Sequence, residues 1–394
     1  MSAQSLPSLR RWLPLVFLPA LLNAAVDATP PADLNSLLEP IRTGSGQPVP
    51  GLAAVVLVGD RIIAQGAVGT RQLGATVAIT MQDKFHLGSD TKAMTATLVA
   101  MLVEEGHLKW DTTVGEIFTG FVDPIDPAWR NVTLLQLLTH RAGAPHDLGA
   151  GGLWGQLWQH QGTPSQQRLQ LVRGVVSRSP VNPPGTTYLY SNAGFAIAGA
   201  MAEVVTGQPW ETLIQERLFQ PLGITTAGFG APGSRDALDQ PLGHTTAGQS
   251  VPVGPHADNP PAIGPAGTVH MSLPDWARFI ALHLRGDPAN PRREVRLLKP
   301  ESFARLHEPA AGPGEKYALG WMVLERGWAR GSGANNHGLA LNHAGSNTMW
   351  FCVTWLAPER DFAVLIACNR GGDEAARTCD RVAGALIKAY LPKN

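Results

Sequence analysis

The pattern of apolar and polar positions predicts β-strands near both ends of the chain. Two apolar runs, Gly51–Val58 and Arg61–Val68, flank Gly59-Asp60, a dipeptide that suits a tight hairpin turn. Near the other end, three more apolar runs predict strands: Tyr317–Leu324, Thr348–Leu356 and Phe362–Cys368. The last two are joined across residues 357–361, which suit a second hairpin.

The middle of the chain has the spacing of helices instead. In the segment Ser89–Glu105, for example, apolar side chains recur every three to four residues, so one face of a helix would be apolar. Similar patterns predict helices at Leu34–Ile41, Thr133–Thr139, Asn192–Thr206, Trp210–Phe219, Pro274–Leu284 and Asp373–Tyr390. The stretch Thr226–Gly267 is dense in Gly and Pro and predicts a long functional loop.

This order of elements predicts the fold class. Strands at both ends with helices between them imply an α/β fold of the α+β type, in which one antiparallel sheet is built from both chain ends and flanked by helices. A mostly helical domain would be inserted into it. We expect a sheet subdomain at about residues 29–80 and 315–394, and a helical subdomain at about 81–314.

The first 28 residues have the features of a secretory signal peptide. Arg10-Arg11 supply positive charge, Trp12–Leu22 form a short apolar core, and small residues such as Ala28 follow. About 11 apolar residues are too few to cross a bilayer, so no stable membrane span is expected. The sequence therefore predicts a periplasmic or secreted protein whose mature part covers residues 29–394.

Composition excludes some classes of partner. The 394 residues carry 31 Lys+Arg and 31 Asp+Glu, so no excess positive charge is available for nucleic acid. The 43 Gly and 32 Pro indicate many turns and loops, the usual place for a site. The three cysteines predict buried free thiols, although a Cys368–Cys379 bridge is conceivable in an oxidising compartment.

Ser89 and Lys92 supply the first candidate chemistry. Residues three apart on a helix share a face, so the Lys92 amine can reach the Ser89 hydroxyl. A serine hydroxyl becomes a good nucleophile when an adjacent base takes its proton, and a lysine held neutral by burial can be that base. Taken alone, the spacing is common and also suits an N-cap serine beside a solvated lysine.

Tyr190 and Asn192 lie between a Pro- and Gly-containing turn and an Ala- and Gly-rich helix. A tyrosine at this junction can turn its hydroxyl toward a cleft, where a lysine cation would shift the phenol toward phenolate. The Asn192 amide can both donate and accept, which suits a substrate carbonyl. A packed tyrosine and a helix-capping asparagine give the same local pattern.

His343, Gly345 and Ser346 open the predicted strand Thr348–Leu356. A glycine at a cleft edge lets ligand and backbone approach closely, so the Ser346 N–H could complete an oxyanion hole with the Ser89 N–H. His343 could donate a hydrogen bond or carry a positive charge. A lone histidine is also common in purely structural roles.

Together, these groups resemble the serine β-lactamase and penicillin-binding hydrolases, most of all the class C-type branch. The motifs have that family's order and spacing: Ser89-x-x-Lys92, Tyr190-x-Asn192 and His343-x-Gly345. Longer stretches that begin at Phe85, Thr133, Tyr190, Pro265 and Tyr317 are similar to the same branch. The resemblance runs from about residue 31 to residue 391.

The resemblance implies a catalytic role for three residues and a binding role for a fourth. Ser89 would attack a carbonyl and form an acyl-enzyme, while Lys92 and Tyr190 share the proton transfers. Asn192 would hold the substrate amide. The family's fold, an antiparallel sheet with a helical insertion, agrees with the predicted order of elements.

The resemblance also implies an oxyanion hole from the N–H groups of Ser89 and Ser346, with His343 and Gly345 in contact with substrate. The β-lactamases and carboxypeptidases of this family usually have lysine where this chain has His343, and that lysine holds the substrate carboxylate. Histidine is only partly charged near neutrality, and branches with histidine here include peptidases, amidases and esterases. Asp90 is also unusual, and we expect it to point away from Ser89 and cap the helix start.

The sequence therefore predicts an exported serine hydrolase that cleaves a small-molecule ester, amide or peptide without a cofactor. A true β-lactamase or D-alanyl-D-alanine carboxypeptidase remains an alternative, as does a non-catalytic ligand-binding relative. The chain has no Gly-x-Ser-x-Gly elbow and no His-Glu-x-x-His or paired-cysteine pattern, so neither an α/β-hydrolase site nor a metal site is predicted. Substrate identity and oligomeric state stay open.

Overall fold

Seven strands form the central sheet, and both ends of the chain contribute to it. A computed structural model of the protein describes residues 29–44, 46–120, 122–311, 315–332 and 336–393. The predicted signal peptide, residues 1–28, lies outside the described residues. From Pro31 onward the chain forms one compact unit.

The strand order confirms the predicted sheet. The strands are, in chain order, β1 (Ala32–Asp33), β2 (Gly51–Val58), β3 (Arg61–Gly69), β4 (Lys84–His86), β5 (Gly228–Phe229), β6 (Gly243–His244), β7 (Ser250–Val251), β8 (Val269–Ser272), β9 (Met322–Glu325), β10 (Leu339–Ser346), β11 (Phe351–Ala357) and β12 (Phe362–Cys368). The central sheet has the order β1-β3-β2-β12-β11-β10-β9, in which only the short β1–β3 pair is parallel. N-terminal and C-terminal strands therefore meet at the β2–β12 pair, in the middle of the sheet.

Helices surround the sheet and fill the middle of the chain. They are α1 (Asn35–Thr43), α2 (Thr91–Glu104), α3 (Val114–Phe118), α4 (Leu134–Leu138), α5 (Leu153–Gln159), α6 (Pro164–Val176), α7 (Asn192–Thr206), α8 (Trp210–Ile214), α9 (Gly264–Gly267), α10 (Leu273–Gly286), α11 (Pro300–Leu306) and α12 (Asp373–Tyr390). Within the described ranges, none of these helices combines the length and the apolar character that crossing a membrane requires.

Strand β2 is apolar along its whole length because both faces of the sheet are covered. Ala53, Val55 and Leu57 belong to the large core shared with the helical part, where α2 and α10 pack. Leu52, Ala54 and Val56 face the opposite way, toward a second core that includes α1 and α12. Successive side chains of a strand point to opposite faces, so a strand buried on both sides reads as a continuous apolar run.

The C-terminal strands differ from the prediction in two places. The predicted strand Tyr317–Leu324 is replaced by the shorter β9, which begins at Met322, because residues 317–321 form a tight turn against α2. In this turn Gly320 has φ +89°, and a Cβ there would lie 2.5 Å from the Cα of Ala93. The prediction that His343–Ser346 open the strand Thr348–Leu356 is wrong, because these residues form the end of a separate strand, β10.

Candidate active site

Ser89 lies where strand β4 passes into helix α2. A single 3₁₀ turn, Gly88–Asp90, links the two, so α2 begins two residues later than predicted. Gly88 has φ +48°, and a Cβ there would lie 2.3 Å from the backbone nitrogen of Ser346. Glycine is thus required both for the turn and for the close approach of β10. Ser89 itself remains partly exposed, whereas its neighbours are buried.

The side chain of Lys92 joins the nucleophile to two other segments. Its Nζ lies 3.0 Å from Ser89 Oγ, 2.8 Å from Asn192 Oδ1 and 2.8 Å from the carbonyl oxygen of Ala266. The lysine is fully buried, and this burial lowers its pKa well below the ordinary value, although the nearby Asp90 opposes the shift.

These three contacts match a neutral amine. Asn192 Oδ1 and the Ala266 carbonyl can only accept hydrogen bonds, so they take the two hydrogens of a neutral –NH₂ group. The remaining lone pair is then free for the third neighbour, the Ser89 hydroxyl. The lowered pKa favours this neutral form, in which the amine can receive the serine proton, as general-base catalysis requires.

Tyr190 completes the contacts of the nucleophile. Its hydroxyl donates to Ser89 Oγ at 2.8 Å, and its ring lies 4.8 Å from the Lys92 nitrogen. Burial raises the pKa of Tyr190 above its ordinary value. The expectation of a phenolate is therefore not supported, because the same burial that keeps the lysine neutral keeps the phenol protonated.

The backbone on both sides of Tyr190 is held by His140, which sequence reasoning gave no role. The Leu189 N–H donates to the His140 carbonyl at 2.8 Å, and the Ser191 N–H donates to His140 Nδ1 at 3.1 Å. His140 adopts φ +57°, and in this conformation its carbonyl oxygen and its Nδ1 both face the segment 189–191. The only sequence signal was its position within the Thr133–Gly143 stretch that resembles the family.

Strand β10 contacts the nucleophile turn through its backbone. A Cβ on Gly345 would lie 1.9 Å from the Leu87 carbonyl oxygen, so only glycine permits this contact. The close approach at Gly88 brings the Ser346 N–H beside the Gly88–Ser89 backbone. The two N–H groups predicted for the oxyanion hole thus belong to segments in direct contact.

His343 is buried and both of its ring nitrogens are engaged. Nδ1 donates to the Ala344 carbonyl at 2.8 Å, so Nε2 is the acceptor for the Tyr317 hydroxyl at 3.3 Å. Burial lowers the pKa of His343 to about 3, and the hydrogen bond to the Ala344 carbonyl only partly opposes the shift. The expectation of a charged or donating His343 at the substrate is therefore corrected, since the ring is neutral and its only N–H is used internally.

The chain matches a known protein family over most of its length. Residues 35–387 match the model described as Beta-lactamase. The chain belongs to the β-lactamase family. Penicillin-binding protein 4 of Amycolatopsis lactamdurans is 31% identical over 286 residues, which cover 72% of this chain and 70% of that protein.

One further relative and one solved structure are similar to this chain. Unguisins hydrolase ungD' of Aspergillus campestris is 27% identical over 69% of this chain, but this chain spans only 51% of the length of that relative. The octameric penicillin-binding protein homologue from Pyrococcus abyssi is similar in fold, with a TM-score of 0.68, 22% identity and coverage of 87% of this chain and 76% of that one. The protein is thus a serine hydrolase of the β-lactamase family.

Asp90, the unusual residue of the family's first motif, does not cap helix α2. It is 2% exposed, and its Oδ2 accepts a hydrogen bond from the Cys352 thiol at 3.1 Å. Burial raises the pKa of Asp90 to about 7, which the Cys352 hydrogen bond and Lys92 partly oppose. The prediction that Asp90 caps the helix start is therefore wrong, because β11 packs over this residue.

The cysteines are free and buried. Cys368 and Cys379 have their sulfur atoms 3.8 Å apart without a bond between them, and Cys352 lies beside Asp90. Across the described part of the chain, no cluster of three or more His, Cys, Asp or Glu side chains is arranged to hold a metal ion. The groups that surround Ser89 are side chains and backbone N–H groups.

Proposed function

We propose that this β-lactamase-family protein is an exported hydrolase that cleaves uncharged esters or amides through an acyl-enzyme on Ser89. The observation that carries the proposal is the set of contacts of Lys92, which leaves the lone pair of a neutral amine for the Ser89 hydroxyl. The Tyr190 hydroxyl, on the other side of the same oxygen, supports the proposal as a proton donor.

In the proposed acylation, Ser89 Oγ attacks the carbonyl carbon as its proton passes to Lys92 Nζ. The carbonyl oxygen becomes negative, and the N–H groups of Ser89 and Ser346 stabilise it. When the intermediate collapses, the leaving alcohol or amine takes a proton from the Tyr190 hydroxyl, and the Lys92 ammonium restores that proton. A free acyl-enzyme and the protonated leaving group result.

Deacylation reverses these roles. Water gives a proton to the neutral Lys92 and adds its hydroxyl to the acyl carbon. Collapse of the second intermediate then returns the proton from Lys92 to Ser89 Oγ and releases the acid. Each proton taken by the amine is given back within the cycle, so no other acid or base is required.

The preference for an uncharged substrate rests on the states of two basic side chains, His343 and Arg141. His343 occupies the place where related β-lactamases have a carboxylate-binding lysine, and it is neutral with both nitrogens engaged. Arg141, near the loop that leads to Tyr190, forms an ion pair with Glu315. A substrate carboxylate would therefore lack a charge-assisted partner at His343.

Purified protein starting at residue 29 should hydrolyse p-nitrophenyl esters or D-amino-acid amides, with little turnover of nitrocefin. Ser89→Ala should abolish labelling by a fluorophosphonate probe and reduce turnover to the residual rate that binding alone gives. Labelling that survives Ser89→Ala would contradict the proposal. Efficient nitrocefin hydrolysis by the wild type would favour the β-lactamase alternative, and labelling without turnover of any substrate would favour a ligand-binding relative.

Export is tested separately. The basic and short apolar segments before residue 28 support it, and we expect mature protein that starts near residues 25–29. N-terminal sequencing of protein from fractionated cells measures this directly. A cytosolic protein that retains Met1 would contradict the export proposal and leave the hydrolase proposal untouched.

A further inference from the structure

A buried carboxylate, Asp258, bonds to both segments of the predicted oxyanion hole. It lies in the segment between β7 and α9 and is 6% exposed. Its Oδ2 lies 2.8 Å from His86 Nε2, and its Oδ1 lies 3.1 Å from Asn347 Nδ2. His86 ends strand β4, two residues before Gly88, while Asn347 directly follows Ser346.

The hydrogen-bond directions are fixed by groups that can only donate. The Gly88 N–H donates to His86 Nδ1 at 3.1 Å, so the ring hydrogen of a neutral His86 is on Nε2 and points at Asp258. On the other side, Asn347 uses its NH₂ group for Asp258 and its Oδ1 for the Met349 N–H. One carboxylate therefore accepts from both arms, which are 0% and 4% exposed.

We propose that Asp258 is a positioning residue of the oxyanion hole, which holds the Ser89 and Ser346 N–H groups at their working distance through His86 and Asn347. The inference rests on the proposed hydrolase function, because it assigns a purpose to the spacing of these two N–H groups. Asp258 touches neither the nucleophile nor the substrate. Its effect passes through Gly88, whose backbone meets Ser346 directly.

Both partners of Asp258 donate hydrogen bonds, so its positioning role requires a side chain with two acceptor oxygens. In Asp258→Asn, one side of the amide becomes a donor and faces either the His86 N–H or the Asn347 NH₂ group. Shifting the His86 hydrogen to Nδ1 would relieve the first conflict but would turn that hydrogen against the Gly88 N–H. The disturbance thus reaches Gly88, next to the nucleophile, through His86, or the segment after Ser346 through Asn347.

The test measures acylation without depending on the natural substrate. We expect Asp258→Asn to slow fluorophosphonate labelling of Ser89 and the p-nitrophenolate burst by about 10- to 100-fold, since loss of a whole oxyanion donor costs roughly 100- to 1,000-fold. KM should change by less than about threefold. The control Asp239→Asn, in the loop between β5 and β6 and bonded to Ser234, should label at the wild-type rate.

The double variant Asp258→Asn with Asn347→Asp restores one donor facing one acceptor on each arm, and it should recover part of the acylation rate, although it loses the hydrogen bond that Asn347 donates to the Ala257 carbonyl. A purely structural role would lower the melting temperature without this recovery in kcat. If Asp258→Asn does not fold, Asn347→Ala leaves the His86–Asp258 pair intact and should slow labelling by several-fold. If the wild type is labelled and these variants are labelled at the same rate, the inference is overturned. If the wild type is not labelled at all, the proposed function is overturned instead.

Discussion

Replacing Asn192 by aspartate tests whether Lys92 works as a neutral base. The substitution keeps the shape of the side chain but places a negative charge 2.8 Å from the lysine nitrogen. At an effective dielectric constant of about 20, a charge pair at this distance attracts by roughly 6 kcal/mol, part of which is spent on desolvating the new carboxylate. Opposite charges at such distances commonly raise the pKa of a lysine by about one to three units.

The expected result is a displaced pH profile. Because only the neutral amine accepts the serine proton, each unit added to the pKa of Lys92 costs about tenfold in rate at any pH below it. We expect fluorophosphonate labelling of Asn192→Asp at pH 7 to be slower than in the wild type by up to about 1,000-fold, because only the part of the shift that carries the pKa of Lys92 above 7 lowers the neutral fraction. The acid limb of its profile should move to higher pH, with the rate recovering as pH rises.

The assay is the second-order labelling rate of Ser89 from pH 5 to pH 10, with Asn192→Ala as the matched control. Alanine removes the amide contacts without adding a charge, so its rate should fall while its acid limb does not move to higher pH. A uniform loss in Asn192→Asp at all pH values would refute the reasoning, because it would show that the charge of Lys92 does not limit acylation.

Three further predictions follow from the burial of individual groups. Because the pKa of Asp90 is raised to about 7, the folded state binds the extra proton and stability falls as pH rises from about 4 to 7; Asp90→Asn should therefore be more stable at pH 8 by roughly 1–4 kcal/mol in urea unfolding, and no gain would contradict this. His140→Ala should lower kcat more than it raises KM, because the backbone on both sides of Tyr190 loses a hydrogen-bond partner. His140→Asn keeps a side-chain acceptor and tolerates positive φ, so it should retain more activity. Equal losses in the two variants would argue against the role of His140 in holding Tyr190. With the pKa of His343 at about 3, wild-type selectivity between a neutral and an anionic substrate should not change between pH 5 and 8, while His343→Lys should shift kcat/KM toward the anionic one by about 10- to 100-fold, from a contact worth about 1.5–3 kcal/mol. A wild-type enzyme that already hydrolyses nitrocefin well and gains nothing from the lysine would contradict the last prediction.

Local signals were sufficient for the elements whose ends are set by nearby residues. Helix α7 begins at Asn192, with Ser191 as its N-cap, and ends at Gly207 in the left-handed conformation, which is the pattern that the sequence predicts. Helix α6 was missed even though Thr163, Pro164 and Gln166 form a capping box with proline at the first helical position. Its apolar stripe is confined to the later half, because the buried residues of the first half are the polar Gln167 and Arg168.

Strand β10 could not be recognised because its residues do not have the composition of a strand. Its end, His343–Ser346, mixes small and polar residues, and only its contacts with β9, β11 and the nucleophile turn hold it extended. The same limit applies to Asp258, which is one acidic residue in a long loop. Its partners His86 and Asn347 are 172 and 89 residues away, so no local pattern connects them.

For the site, spacing on a helix accounts for the Ser89–Lys92 contact, but it does not determine the charges. Lys92 is neutral because it is buried, and its hydrogen bonds use only two hydrogens; His343 is neutral because it is buried and bonded to Ala344 and Tyr317. Neither cause is visible in the residue type, and the residue type alone suggested a charged histidine. Lys92 becomes an ammonium as it takes the serine proton, but the neutral His343 adds no positive charge beside the forming oxyanion. Its stabilisation then depends on the N–H dipoles, whose strength in a buried site depends on their position, and for this reason we expect the spacing held by Asp258 to affect the rate.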